Sequence, residues 1–153
     1  MVGTPQTKAK LNNTLYTVSK LLNENNIDNW FVAYGTLLGI VRENSCIDKD
    51  DDIDIVCDKK NYNKVKDLLK NKFTFHYDLG IGNSKNILKT RETEDFSSID
   101  FYMADIDKKG NFNDTWERQI WSNCYLNNKL IKNEFNDTFV YLPNNAETKL
   151  KNR

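Results

Sequence analysis

Four carboxylates occupy five positions in Asp50-Asp51-Asp52-Ile53-Asp54-Ile55. Like charges this close repel strongly, so such a run calls for a neutralising cation or for a loose, solvated loop. Ile53, Ile55 and Val56 argue against the loop, because the acidic run passes straight into an aliphatic strand. Successive strand side chains alternate faces, which places Asp52 and Asp54 on one side and Ile53 and Ile55 on the other. Two carboxylates backed by a buried aliphatic side make a cradle for Mg²⁺ or Mn²⁺. Hard cations take oxygen ligands, and Mg²⁺ is commonly held by one or two carboxylates plus substrate phosphates. The chemistry implied is phosphoryl transfer. Asp50 and Asp51 read either as outer groups of the same site or as loop charge.

Upstream lies Gly35-Thr36-Leu37-Leu38-Gly39-Ile40-Val41-Arg42. Gly35 breaks an apolar run, and Thr36 is placed to cap a short helix over Leu37 to Arg42. A glycine at the start of a helix lets a phosphate approach backbone N–H groups, aided by the helix dipole. The Thr36 hydroxyl would add a donor. Arg42 is a candidate bidentate phosphate clamp, or else a partner for the acidic run.

The elements that must position these groups are readable from periodicity. Residues 8 to 25 carry Leu11, Leu15, Val18, Leu21 and Leu22 at helical spacing, and Asn25-Asn26 ends the helix. Trp30 to Tyr34 reads as a buried strand, Glu43 to Lys49 as a loop and Asp52 to Cys57 as the second strand. Asn61 to Asn71 is helical, with Tyr62, Val65, Leu68 and Leu69 on one side. Phe73 to Tyr77, Ile87 to Thr90, Ile99 to Ala104 and Phe139 to Leu142 read as strands, the last closed by Pro143. Lys108 to Asn111 is a turn. Trp116 to Trp121 fits a short helix or a strand, and its two tryptophans are spaced as core groups. Ala146 to Lys151 begins a last helix. This order predicts an α+β domain, a small mixed sheet flanked by helices, over residues 1–153 as one unit.

Composition excludes several function classes. Acidic and basic residues balance, 22 against 22, so no global field favours nucleic acid or an anionic membrane. The polar stretch Met1 to Lys10 lacks the apolar core of a signal peptide, and no run is long enough to span a membrane. Cys46, Cys57 and Cys124 show neither metal-ligand nor disulfide spacing, which suits a reducing compartment and a cytoplasmic location. Sequons at Asn12, Asn113 and Asn136 are expected by chance in so Asn-rich a chain. His76, between Phe75 and Tyr77, reads as a structural or exposed residue.

The two-part motif Tyr34-Gly35-Thr36-Leu37-Leu38-Gly39-Ile40-Val41-Arg42 and Asp50-Asp51-Asp52-Ile53-Asp54-Ile55 resembles the signature of the LicD/fukutin-related family, within the nucleotidyltransferase superfamily. Ser98-Ile99-Asp100-Phe101 resembles the strand that supplies the third carboxylate of that superfamily. Val140-Tyr141-Leu142-Pro143 with Ala146-Glu147 and Leu150 resembles its closing strand and helix. Asp48-Lys49 stands where members usually carry Pro-Trp, and Glu43 follows the motif arginine where a basic residue is usual. The resemblance implies a nucleotidyltransferase-like fold. It also implies one or two Mg²⁺ or Mn²⁺ ions held by Asp52, Asp54 and Asp100, with Asp100 helping to activate the acceptor hydroxyl. Asp105 is the rival for that third position. The implied reaction moves a phospho-alcohol, of phosphocholine or ribitol-phosphate type, from a CDP-activated donor onto a glycan or other hydroxyl acceptor. Two alternatives stay open: transfer of a nucleotide from an NTP to a small molecule, protein or RNA, and a degenerate module that binds a nucleotide without catalysis.

Overall fold

The computed structural model describes residues 4–76 and 85–151. Helix α1, Lys8–Glu24, opens on Thr7, whose hydroxyl accepts the Lys10 N–H. Leu11, Leu15, Val18 and Leu22 recur on one face and are fully buried. Each such burial contributes roughly 1.5–3 kcal/mol. Strand β1, Trp30–Val32, is buried throughout. Helix α2, Tyr34–Glu43, is capped at Ala33, three residues before the expected cap. Thr36 is therefore not an N-cap. It is buried in the first turn, and its Oγ1 accepts the Asp54 N–H at 2.9 Å. The helix closes on left-handed Asn44. At Gly39 an added Cβ would lie 2.3 Å from the Ser45 carbonyl oxygen, so only glycine lets the returning loop pack there.

Strand β2, Asp52–Asp58, is followed by a 3₁₀ turn and by helix α3, Tyr62–Leu69. Strands β3, Ile87–Lys89, and β4, Ser98–Ile106, come next. Strands β5, Phe112–Asp114, and β6, Gln119–Trp121, then extend the sheet. β1 pairs antiparallel and β4 parallel with β2, while β3 and β5 pair antiparallel with successive halves of β4. This is the expected mixed sheet with flanking helices. The stretch that fitted helix or strand is resolved as a turn leading into β6. Trp121 joins the core, but Trp116 is 41% exposed on that turn, against the expectation that both would be packed.

A separate ribbon of β7, Ile131–Phe135, and β8, Thr138–Leu142, packs on α1 and β1. Helix α4, Ala146–Lys151, packs on α2. The expected strand at Phe73 to Tyr77 reduces to one bridge between Phe75 and Thr90, and Tyr77 lies outside the described residues. Lys108 to Asn111 is a turn, with Gly110 left-handed and the Asp107 carboxylate accepting the Lys109 and Asn111 N–H groups.

Asn12 of the first sequon is engaged with Ser45 and Cys46. Cys46, Cys57 and Cys124 are free and buried, and burial pushes the Cys46 thiol up to about 12 and that of Cys124 to about 11. Such thiols are inert near neutral pH. Among the described residues no helix is long and apolar enough to cross a membrane.

Candidate active site

The parallel pairing of β2 with β4 seats Asp54 opposite Asp100, and β3 seats Lys89 opposite Asp100 on the other side. Asp52, two residues before Asp54, shares its face. The opposite face carries Ile53, Ile55, Ile99 and Phe101, none of them exposed. Carboxylate oxygens of Asp52, Asp54 and Asp100 thus lie within 4.8 Å of one another, with Asp54 only 7% and Asp100 only 6% exposed. Asp105, five positions along β4 from Asp100, falls on the other face and is exposed. It takes no part.

Several groups hold the trio in place. The Asp54 N–H goes to Thr36 and its carbonyl accepts the Ala33 N–H, so β2 is tied to the start of α2. Tyr102, two residues beyond Asp100 on the same face, donates its O–H to Asp54 Oδ1 at 3.1 Å and lies 3.4 Å from Asp100 Oδ2. Lys89 Nζ meets Asp100 Oδ1 at 2.6 Å. Tyr34 packs edge-on to Tyr102, with ring centroids 5.0 Å apart, and donates to Asp114 at 2.8 Å. Tyr34 sits at φ 49°, a left-handed conformation that a bulky residue adopts only when its surroundings impose it.

The electrostatics are compatible with the binding of a divalent cation. Burial first, and the neighbouring carboxylates second, push Asp52 and Asp54 well above the usual carboxylate range. Burial draws the Lys89 ammonium down, but Asp100, Asp52 and Asp54 outweigh it, so its pKa is raised overall. Three hard oxygen donors, two of them nearly buried, fit a divalent ion such as Mg²⁺ or Mn²⁺. A cleft of about 270 Å³ opens beside them, and Asp51, Asp52, Asp100, His76, Lys89 and Arg91 are among the residues that line it.

The expected phosphate contacts are placed otherwise. Gly35 faces Asp50, whose Oδ2 would lie 2.8 Å from an added Cβ. Arg42 is exposed in the last turn of α2, about 12 Å along the helix from its first residue. Among the described residues Arg42 forms no ion pair with the acidic run.

Residues 26–145 match the family described as LicD/FKTN/FKRP, nucleotidyltransferase domain. The chain belongs to that family. No protein of curated function matches this LicD chain in sequence. Among solved structures it is similar to the lincosamide antibiotic adenylyltransferase LnuA in its lincomycin-bound form, at 14% identity and TM-score 0.58, covering 95% of this chain and 85% of that one. It is also similar to a protein of Thermotoga maritima assigned as a nucleotidyltransferase, at 11% identity and TM-score 0.55, covering 97% and 89%. At such identities the likeness is one of fold alone; family membership and that fold together support a transferase of nucleotidyltransferase type.

The site of the LicD domain also contains Lys89, Tyr102 and Arg91, which sequence reasoning passed over, and His76, which it read as structural or exposed. Lys89 is the lone charge in Ile87-Leu88-Lys89-Thr90, and a charge inside so apolar a strand is a signal in itself. Tyr102 lies at i+2 from Asp100, so strand alternation alone would have put it on the acidic face. His76 and Arg91 carried no such signal, since both reach the cleft from irregular segments.

Proposed function

We propose that this protein is a metal-dependent transferase that moves a phospho-alcohol from a CDP-activated donor onto a hydroxyl of a glycan. The reading is carried by one observation, the convergence of Asp52, Asp54 and Asp100 beside an open cleft. Family membership supports the donor and acceptor classes. A divalent ion held by the three carboxylates would neutralise charge on the donor's diphosphate.

The chain's own residues do the rest. Thr36 and Tyr102 fix the position of Asp54 from backbone and side chain. Asp100, next to the cleft, takes the proton of the acceptor hydroxyl. The acceptor oxygen forms a bond to the donor's distal phosphorus. The bridging oxygen leaves with its electron pair on CMP. Arg91 and His76 line the same cleft as Asp51 and Asp52 and are assigned to the donor's phosphates. Gly35 leaves room at the start of α2 for the acidic run, and a phosphate reaching this turn would displace the Asp50 carboxylate. Arg42, at the outer end of α2, is assigned to a more distant part of the substrate.

A second reading, transfer of a nucleotide from an NTP, draws support from the adenylyltransferase LnuA as a structural neighbour. One experiment separates the two. Purified protein with Mn²⁺ is offered CDP-choline or CDP-ribitol with a panel of sugar acceptors, and in parallel α-labelled NTPs. CMP release dependent on the acceptor supports the first reading. Pyrophosphate release with labelled product replaces it with the second. Neither product, from a protein that binds Mn²⁺, leaves a nucleotide-binding module.

A further inference from the structure

Lys89 is more than a neighbour of the acidic trio. Its ammonium lies 2.6 Å from Asp100 Oδ1, and the side chains are only 22% and 9% exposed. Register puts it there, because Asp54, Asp100 and Lys89 occupy one row across β2, β4 and β3. A cation and two carboxylates are therefore held side by side on one sheet face. The Lys89 side chain also lines the cleft, so its charged end can leave Asp100 without unfolding β3. A lysine ammonium is a compact point charge on a flexible stem and suits such an exchange.

Resting on the reading of the trio as a divalent-cation site, we propose that Lys89 is a built-in counter-cation that competes with the metal ion for Asp100. Without the ion, Lys89 neutralises Asp100 and relieves part of the repulsion in the trio. When the ion is bound, Lys89 is released from Asp100 and turned to a phosphate oxygen of the donor. Anionic substrate and divalent ion then favour each other's binding. The ion frees the lysine for the phosphate, the phosphate frees the carboxylate for the ion, and linkage makes the coupling reciprocal. Lys89 is by this account a positioning residue that doubles as a phosphate ligand.

The test uses the full chain and its Lys89→Met and Lys89→Arg variants, titrated with Mn²⁺ by calorimetry and by thermal shift, with and without CDP as the phosphate probe. Lys89→Met is expected to melt lower than wild type in chelator, yet to bind Mn²⁺ at least about tenfold more tightly, since loss of a close charge competitor is typically worth that much. Lys89→Arg keeps the charge and is expected within about threefold of wild type, as only the geometry of the pair changes. CDP should tighten Mn²⁺ binding by a larger factor in wild type than in Lys89→Met. Equal or weaker Mn²⁺ binding by Lys89→Met overturns the proposal, as does a variant that stays unfolded at saturating Mn²⁺, which would make the lysine purely structural. A variant that folds only with Mn²⁺ supports it. If wild type and Asp54→Asn both ignore Mn²⁺, the metal reading itself falls and this inference with it. If wild type binds and only the expected gain in Lys89→Met is missing, the lysine's role alone is lost.

Discussion

Replacing Asp54 by Asn should stabilise the metal-free protein and abolish its response to divalent ions. Carboxylate oxygens of Asp52, Asp54 and Asp100 lie within 4.8 Å of one another, and at an effective dielectric of ~20 two unit charges at that separation repel by about 3.5 kcal/mol. Asp54 faces two such neighbours and is itself almost buried. Part of this is offset by the Tyr102 hydroxyl, and Asn keeps an acceptor for it. Protonation limits the repulsion further, so the net gain on substitution is about 2 kcal/mol, or about 4–8 °C in melting temperature at this chain length.

Wild type should gain a similar amount from the ion, about 2.7 kcal/mol at one hundred times its dissociation constant. The sign with pH is fixed by the upward shifts of Asp52 and Asp54. A carboxyl whose folded pKa exceeds its unfolded value stabilises the fold below about pH 4 and gives that up as pH rises through the folded value. Metal-free wild type should therefore lose stability from about pH 4 into the neutral range, with a shallower loss in Asp54→Asn. Differential scanning fluorimetry in chelator and in Mn²⁺, across that range, measures all of this. A lower melting temperature for Asp54→Asn in chelator, together with an undiminished Mn²⁺ shift, would refute the argument.

Asp54→Ala and Asp100→Ala should each lower turnover on order of a thousandfold or more while the protein still folds, measured as CMP release with the natural fold checked by circular dichroism. Thr36→Val leaves the Asp54 N–H buried without an acceptor and should cost about 1–3 kcal/mol, whereas Thr36→Ser should stay close to wild type in denaturant melts. Gly39→Ala drives a Cβ to 2.3 Å from the Ser45 carbonyl oxygen and should destabilise the fold by about 1–3 kcal/mol, read from the same melts.

The parts of this molecule legible in its sequence are those whose signal is local. α1 repeats leucines at helical spacing, and β2 alternates acid with aliphatic side chains, so both were readable to within a residue or two. β7, Ile131-Lys132-Asn133-Glu134-Phe135, was not, because its inward positions are Ile131, Asn133 and Phe135, and the polar Asn133 breaks the apolar alternation. β5 and β6 are three residues each and owe their existence to the strand beside each, β4 for β5 and β5 for β6. The same division runs through the site. Asp52 and Asp54 declared themselves by spacing, but Lys89 reaches Asp100 only through the register of β3 on β4. Thr36 looked like a cap because caps are local, while its actual partner lies eighteen positions away on another element.

What the fold retains against its own stability is concentrated in one place. Three carboxylates are driven together at the sheet surface, and a tyrosine is held left-handed at the adjoining strand-to-helix junction. Left-handed backbone at a bulky residue costs roughly 1–3 kcal/mol, and the trio adds repulsion to that. Neither feature is needed to close the core, since β2 and β4 already bury Ile53, Ile55, Ile99 and Phe101 on their other face. The groups that secure the arrangement, Thr36, Tyr102, Lys89 and Tyr34, come from three different elements, α2, β4 and β3, and converge on the same face or its margin. Solvated loop charge needs no such support. Carboxylates fixed from several sides before any ion arrives are preorganised, and preorganised charge is what transfer at phosphorus requires of a protein.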